Sequence, residues 1–226
     1  MELTSKQLAG MIDHTNLKAF ATTEDLTRLC REAAEYGFKS VAINSYYVKL
    51  CRGLLEGTGV LTGATVSFPL GQMTVDMKVA EVMDAVKNGC QEFDYVLNVA
   101  KVKEHDYDYI EREMAAMVGT ARRRGVACKV IFETCYLTDD EIIETAKVAA
   151  RVRPDFVKTS TGFGTAGATV EHVRLMKKYA GDDVLVKAAG GIRTLADAMA
   201  MIDAGASRIG TSAGVKIINE LNGIQI

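Results

Sequence analysis

Three lysines of this chain stand where a lysine is costly. Cys128-Lys129-Val130-Ile131, Phe156-Val157-Lys158-Thr159 and Leu185-Val186-Lys187-Ala188 each embed an ammonium group in a short apolar run, and lysine is seldom buried without a partner or a task. If these runs are β-strands, side chains alternate in direction, so Phe156, Lys158 and Ser160 share one face and Leu185, Lys187 and Ala189 share one face of the next. With both faces turned inward, strands about 4.8 Å apart bring two ammonium nitrogens to about 6 Å. Their repulsion is then about 2.8 kcal/mol at an effective dielectric of about 20, or roughly two pKa units. An ordinary lysine is only about 0.04% neutral at about pH 7, so such a fall multiplies the nucleophilic fraction a hundredfold or more. That amine is suited to Schiff-base chemistry on a carbonyl substrate. The same lysines could instead reach along the strands toward solvent or neutralise Asp94 and Glu133.

Asp94 is the acidic counterpart, in Glu92-Phe93-Asp94-Tyr95-Val96-Leu97-Asn98. Aspartate is disfavoured in strands, so its presence there calls for a reason. It could move a proton beside a lysine, directly or through water, or it could form a structural ion pair with Lys129 on the adjacent strand. Two glycine-rich segments follow later strands: Ala189-Gly190-Gly191-Ile192-Arg193-Thr194 and Gly210-Thr211-Ser212-Ala213-Gly214. Glycines let backbone N–H groups approach a phosphate closely, which points to a phosphorylated small molecule as ligand.

Other signatures lead elsewhere or nowhere. Gly162-Phe163-Gly164-Thr165-Ala166-Gly167 matches a dinucleotide fingerprint, but the strand after it runs into Lys187-Ala188-Ala189-Gly190 and lacks the acidic residue that would hold a ribose. His14, His105 and His172 are far apart and form no metal-binding spacing, so no metal is expected. No GxSxG elbow is present.

Eight apolar, Val- and Ile-rich runs alternate with stretches of helical period. The expected strands are Met11 to His14, Ser40 to Asn44, Ala64 to Phe68, Phe93 to Asn98, Lys129 to Glu133, Phe156 to Thr159, Leu185 to Ala188 and Arg208 to Thr211. Between them, Leu26, Leu29, Cys30 and Ala33 trace one buried helix face ended by Gly37, and Ile110, Met114, Met117, Val118 and Ala121 trace another. Thr138 with Glu141, and Thr194 with Asp197, read as helix starts. This pattern predicts a TIM (β/α)8 barrel with a short N-terminal helical segment, residues 1–226 forming a single domain. In such a barrel the chemistry sits where the strands end, and the loops after strands seven and eight are a frequent phosphate site.

Composition agrees. Hydrophobic residues make up 48% and charged residues 25% of the 226 positions, which excludes a disordered or collagen-like chain. The net charge of -2 gives no broad positive field for nucleic acid, and Arg122-Arg123-Arg124 reads as a solvated helix end. Five cysteines without CxxC spacing suit reduced thiols and a cytoplasmic protein. The first residues lack the basic-then-apolar form of a secretory signal, and no stretch reaches the roughly 18 apolar residues of a membrane span.

Taken together, these segments resemble the deoxyribose-phosphate aldolases, a class I aldolase family, over essentially the whole length. The carriers are Ile12-Asp13-His14-Thr15, Ser67-Phe68-Pro69-Leu70-Gly71, Glu92-Phe93-Asp94-Tyr95-Val96, Lys129-Val130-Ile131-Phe132-Glu133-Thr134, Lys158-Thr159-Ser160-Thr161-Gly162-Phe163-Gly164, Lys187-Ala188-Ala189-Gly190-Gly191-Ile192-Arg193 and Gly210-Thr211-Ser212-Ala213-Gly214. The resemblance implies reversible cleavage of 2-deoxy-D-ribose 5-phosphate to D-glyceraldehyde 3-phosphate and acetaldehyde, without metal or organic cofactor. It implies Lys158 as the Schiff-base lysine, Lys187 and Asp94 as proton donors and acceptors, and Lys129 as a supporting residue that orients Asp94 and is the rival nucleophile. Gly162, Gly190, Gly191, Gly210 and Ser212 match phosphate-loop positions, and a homodimer is the expected assembly. The sequence departs from the family pattern at Asn16, Ala19, Asn44-Ser45 and Ala189, and its tail, Asn222-Gly223-Ile224-Gln225-Ile226, lacks the terminal tyrosine of some members.

Overall fold

The structure, a computed structural model, describes residues 3–224; Met1, Glu2 and the last two residues of the tail, Gln225 and Ile226, lie outside the described residues. A short helix α1 (Ser5–Ala9) leads into strand β1 (Ile12–Asn16). There follow α2 (Thr23–Tyr36), β2 (Ser40–Asn44), α3 (Val48–Leu54), β3 (Leu61–Val66), α4 (Val75–Lys87) and β4 (Glu92–Val96). The second half adds α5 (Val99–Lys103), α6 (Tyr107–Arg124), β5 (Ala127–Ile131), α7 (Asp139–Val152), β6 (Phe156–Lys158), α8 (Val170–Ala180), β7 (Leu185–Ala189), α9 (Leu195–Asp203), β8 (Arg208–Thr211) and α10 (Gly214–Leu221). The eight strands pair in parallel and in chain order, and β8 returns to β1 to close a barrel. This is the TIM barrel expected from the alternating pattern. Among the described residues no helix is long and apolar enough to cross a membrane.

Local chemistry explains why the chain turns where it does. Thr22, Thr138 and Thr194 each accept a hydrogen bond from the backbone three residues on, while Asp25, Glu141 and Asp197 bond back to the cap, so these three helices, like α1 with Thr4 and Gln7, begin with a complete capping box. Gly37 ends α2 in the left-handed conformation, where a side chain would be strained. The stripes read from the sequence are the buried faces: Leu26, Leu29, Cys30 and Ala33 on α2, and Ile110, Met114, Met117, Val118 and Ala121 on α6. They pack on the outward residues of the strands, such as Val41, Phe93, Val130 and Val186, to form the apolar core between helices and barrel.

Four strands end earlier than their expected runs: β4 stops at Val96, not Asn98, which caps α5, and β6 at Lys158, not Thr159; β3 and β5 also stop short. β3 covers Leu61–Val66, not Ala64 to Phe68, because Ser67 adopts φ 49° and its N–H turns to the Glu81 carboxylate. β5 covers Ala127–Ile131, not Lys129 to Glu133, because Glu133 takes the left-handed conformation, φ 56°. Apolar character continues into a loop wherever that loop still faces the core, so hydropathy alone cannot mark the last residue of a strand.

Candidate active site

The inner face of the barrel is built by strand alternation, and its composition is unusual. Inward positions carry Asp13 on β1, Glu92 and Asp94 on β4, Lys129 on β5, Lys158 on β6, Lys187 on β7 and Arg208 on β8, and all seven are buried. Strand register sets their heights, with Asp94 beside Lys129, Lys158 beside Lys187, and Lys187 beside Arg208. The inward positions of β2 and β3 are uncharged.

Six of these groups form a closed ring of alternating sign. Arg208 meets Asp13 at 2.6 Å and Glu92 at 2.7 Å. Glu92 meets Lys129 at 2.8 Å, and Lys129 donates to Oδ1 of Asp94 at 2.8 Å. Lys187 donates to Oδ2 of Asp94 at 2.7 Å and pairs with Asp13 at 2.5 Å, which completes the circuit. Each carboxylate bridges two cations and each cation bridges two carboxylates. Ionised groups taken out of water are tolerated when paired in this way.

Lys158 is the seventh group, and it is one cation too many. Among the described residues its only carboxylate partner is Oδ2 of Asp94, at 2.8 Å, the oxygen that Lys187 also bonds. Two ammonium nitrogens on one oxygen lie closer than the roughly 6 Å expected from strand spacing. Lys158 is nevertheless 3% exposed, and its pKa falls to about 8. Burial is the largest cause; the nearby Asp94 carboxylate opposes it, and the positive charges of Lys187 and Lys129 assist. The repulsion between lysines that the strand pattern suggests is therefore real but second to desolvation. Lys129 is pushed the other way, upward, by Asp94, Glu92 and Asp13 against the cost of its burial. Despite its burial, Asp94 stays well below the usual carboxylate range because Lys129, Lys158 and Lys187 surround it.

Above Lys158 opens a cavity of about 540 Å³. It is lined by Lys158 together with Gly162, Gly190, Gly191, Gly210 and Ser212, so every glycine-loop position singled out in the sequence faces the same space as the proposed nucleophile. Asp94, Lys129 and Lys187 do not line it; Lys187 stands level with Lys158 on the next strand, and Lys129 with Asp94 one step lower in the register. The dinucleotide-like run after β6 serves this cavity by packing its backbone on the loop after β7. Ala168 donates its N–H to the carbonyls of Ala189 and Gly190. A Cβ on Gly167 would come within 2.1 Å of the Gly190 carbonyl oxygen, so only glycine allows the approach.

The sequence reading missed part of the site. Glu92 and Arg208 received no role, and Asp13 was only one letter of a motif. The alternation rule that paired Lys158 with Ser160 also puts Glu92 on the face of Asp94, and Arg208 on the face of Gly210 and Ser212. Glu133 does not neutralise a lysine. Its carboxylate accepts the Thr161 N–H at 3.1 Å and the Thr161 hydroxyl, fixing the start of the loop that carries Gly162. Lys18, Arg28 and Arg193 add positive charge to the cavity wall.

Known proteins share this arrangement of elements and sequence. The profile of the DeoC/LacD family aldolases matches residues 8–220. A deoxyribose-phosphate aldolase of Lactobacillus acidophilus is 55% identical over 221 residues, covering 98% of this chain and 93% of the relative. One from Thermococcus kodakarensis is 49% identical over 218 residues, covering 96% and 97% of the two chains. Among solved structures, the deoxyribose phosphate aldolase of Aeropyrum pernix, described as tetrameric, superposes with a TM-score of 0.90 at 34% identity over 97% of this chain and 92% of the other. A Schiff-base-forming fructose-1,6-bisphosphate aldolase, at 16% identity and a TM-score of 0.60, shares the fold. With its barrel, its lysine-bearing strands and nearly its whole length accounted for by these relatives, the chain belongs to the DeoC/LacD family of aldolases.

Proposed function

We propose that this protein cleaves 2-deoxy-D-ribose 5-phosphate reversibly to D-glyceraldehyde 3-phosphate and acetaldehyde, with Lys158 as the Schiff-base nucleophile. One observation carries the assignment of Lys158: among the described residues it is the only cation of the barrel interior that lines the cavity, and the one left over when the ring of six charges is balanced. With a pKa of about 8, about a tenth of Lys158 is neutral at about pH 7, some two hundred times the fraction of a free lysine. Lys129, fully buried beneath the cavity and bonded to two carboxylates, is a poor rival.

The chemistry follows from that amine. Neutral Lys158 adds to the C1 aldehyde of the open-chain sugar, and loss of water from the carbinolamine gives an iminium. The C3 hydroxyl gives up its proton, the C2–C3 bond breaks, and its electron pair moves into the iminium. Glyceraldehyde 3-phosphate leaves and an enamine remains. Protonation of the enamine at C2 and hydrolysis release acetaldehyde and restore the amine. Lys187 and Asp94, joined through the oxygen that also holds Lys158, would supply and remove these protons through that contact, with Lys129 holding the other oxygen of Asp94. The iminium is itself the electron sink, so the reaction calls for no metal or organic cofactor. The backbone around Gly162, Gly190, Gly191 and Gly210, with Ser212, would hold the phosphate and fix the reacting carbons.

Residues 1–226 are proposed to act as one aldolase domain on sugar phosphates and aldehydes, as a homodimer in the cytoplasm; the five free thiols suit a reducing compartment. The decisive experiment is borohydride reduction in the presence of 2-deoxyribose 5-phosphate or acetaldehyde, followed by intact-mass measurement and peptide mapping. The adduct is expected on Lys158 and should vanish, with turnover, in Lys158→Met. An adduct on Lys129 would reverse the two roles, and ligand binding without any adduct would remove the Schiff-base mechanism.

A further inference from the structure

Glu92 and Arg208 lie on the floor of the barrel and do not line the cavity. Yet Arg208 is tied to both oxygens of Glu92, at 2.7 Å and 2.9 Å, and to Asp13. Glu92 in turn meets Lys129 and Asp13 meets Lys187, so the floor pair anchors both lysines that flank Asp94. We propose that Glu92 and Arg208 are positioning residues that decide which lysine of the barrel interior is uncharged, closing a balanced ring from which Lys158 alone is excluded. This inference rests on Lys158 being the nucleophile.

The argument is one of charge balance in a space that water does not screen. The ring holds three cations, Lys129, Lys187 and Arg208, and three carboxylates, Asp13, Glu92 and Asp94. Around Lys158 the charged groups are Asp94 and Glu92 from β4, Lys129 from β5, Lys187 from β7, Arg208 from β8 and Asp13 from β1; the cavity wall adds Lys18, Arg28, Arg193, Asp25 and Glu32, with Arg28 paired to Asp25 and His14 to Glu32. Protonating Lys158 leaves this interior with one uncompensated positive charge. Lys129 and Lys187 each keep two carboxylate partners, whereas Lys158 has a share in one oxygen, so Lys158 is the site from which a proton leaves at least cost. Removing one member of the floor pair must then act on Lys158 without contact. Glu92→Gln leaves the ring positive and discourages protonation of Lys158; Arg208→Met leaves it negative and encourages protonation.

The two substitutions therefore predict opposite effects, which loss of packing alone would not produce. Two strand spacings separate Arg208 from Lys158, and a unit charge at about 10 Å under an effective dielectric of about 20 displaces a titration by about one pH unit. The measurement is the rate at which cyanoborohydride traps acetaldehyde on Lys158 as a function of pH, with the adduct located by peptide mapping; acetaldehyde carries no phosphate whose own titration would intrude. The midpoint is expected near pH 8 in the unaltered protein, about one unit lower in Glu92→Gln, about one unit higher in Arg208→Met, and restored in the double variant. Unmoved midpoints, or both variants moving the same way, would overturn the proposal. If Arg208→Met does not fold, Glu92→Gln, which preserves side-chain shape, decides alone: a lowered midpoint supports the proposal and an unchanged one overturns it. Absence of a Lys158 adduct in the unaltered protein would instead defeat the assignment of the nucleophile, so the two failures are distinguishable.

Discussion

Lys158, the proposed nucleophile, is held at the expense of stability. Its folded pKa of about 8 lies below the roughly 10.4 of an unfolded chain, so between those values only the unfolded chain holds the proton. The residue therefore costs stability at every pH below about 8, by about 3 kcal/mol, and the cost fades as pH rises toward about 10. Lys158→Met removes the charge while roughly keeping the volume, and Oδ2 of Asp94 retains Lys187. The variant is expected to be inactive yet more stable than the parent by about 1–3 kcal/mol at neutral pH, the gain shrinking in alkali. Urea unfolding at neutral and alkaline pH reads this directly; a destabilised variant at neutral pH would mean that Lys158 is held more favourably than its burial indicates.

At the scale of elements, the site depends on two loops touching through their backbones. The segment after β6 and the segment after β7 meet at Gly167 and Gly190, and Ala168 stitches them with its N–H. Thr159 adds a second stitch, its hydroxyl donating to the Ala189 carbonyl and accepting the Ala189 N–H. Gly167→Ala forces these loops apart, which displaces the N–H groups around Gly190 and Gly191 while leaving Lys158 on its strand. The expected result is a rise in KM for the phosphorylated sugar of about tenfold or more, with acetaldehyde trapping on Lys158 nearly unchanged. Steady-state kinetics beside the trapping rate tests it, and equal loss in both assays would show that the loops also shape the amine's surroundings.

The whole molecule is a barrel without free strand edges, closed by β1 and β8. Helix α1 packs against α10, and none of the α1 residues lines the cavity. Large apolar side chains remain on the outside, including Phe20 at 77%, Tyr46 at 87% and Leu70 at 71% exposure. These side chains are candidate contacts for the second copy of the proposed homodimer. Light scattering during size-exclusion chromatography is expected to give the mass of two chains. The mass of one chain would set the homodimer aside, and that of four would parallel the Aeropyrum pernix relative.

How much of this was legible beforehand can be judged from particular residues. Alternating apolar runs, capping threonines and Gly37 express local preferences, and local preferences survive in a one-dimensional string; they give the eight strands, the helix starts and hence the barrel. Lys129, Lys158, Lys187 and Asp94 also stood out, because a charge inside an apolar run is anomalous by itself. Arg208 and Glu92 did not: each lies at the start of its strand, where a charged residue is ordinary until closure of the barrel turns it inward. Glu133 is a similar case, its left-handed conformation and its grip on Thr161 depending on a neighbouring strand. The sequence determined which residues are reactive in kind and on which face of each strand they stand. Only the tertiary structure bears on which lysine gives up its proton in the proposed mechanism, because that choice is a sum over charges from five strands, and long-range electrostatics depends on distances that register and closure alone create.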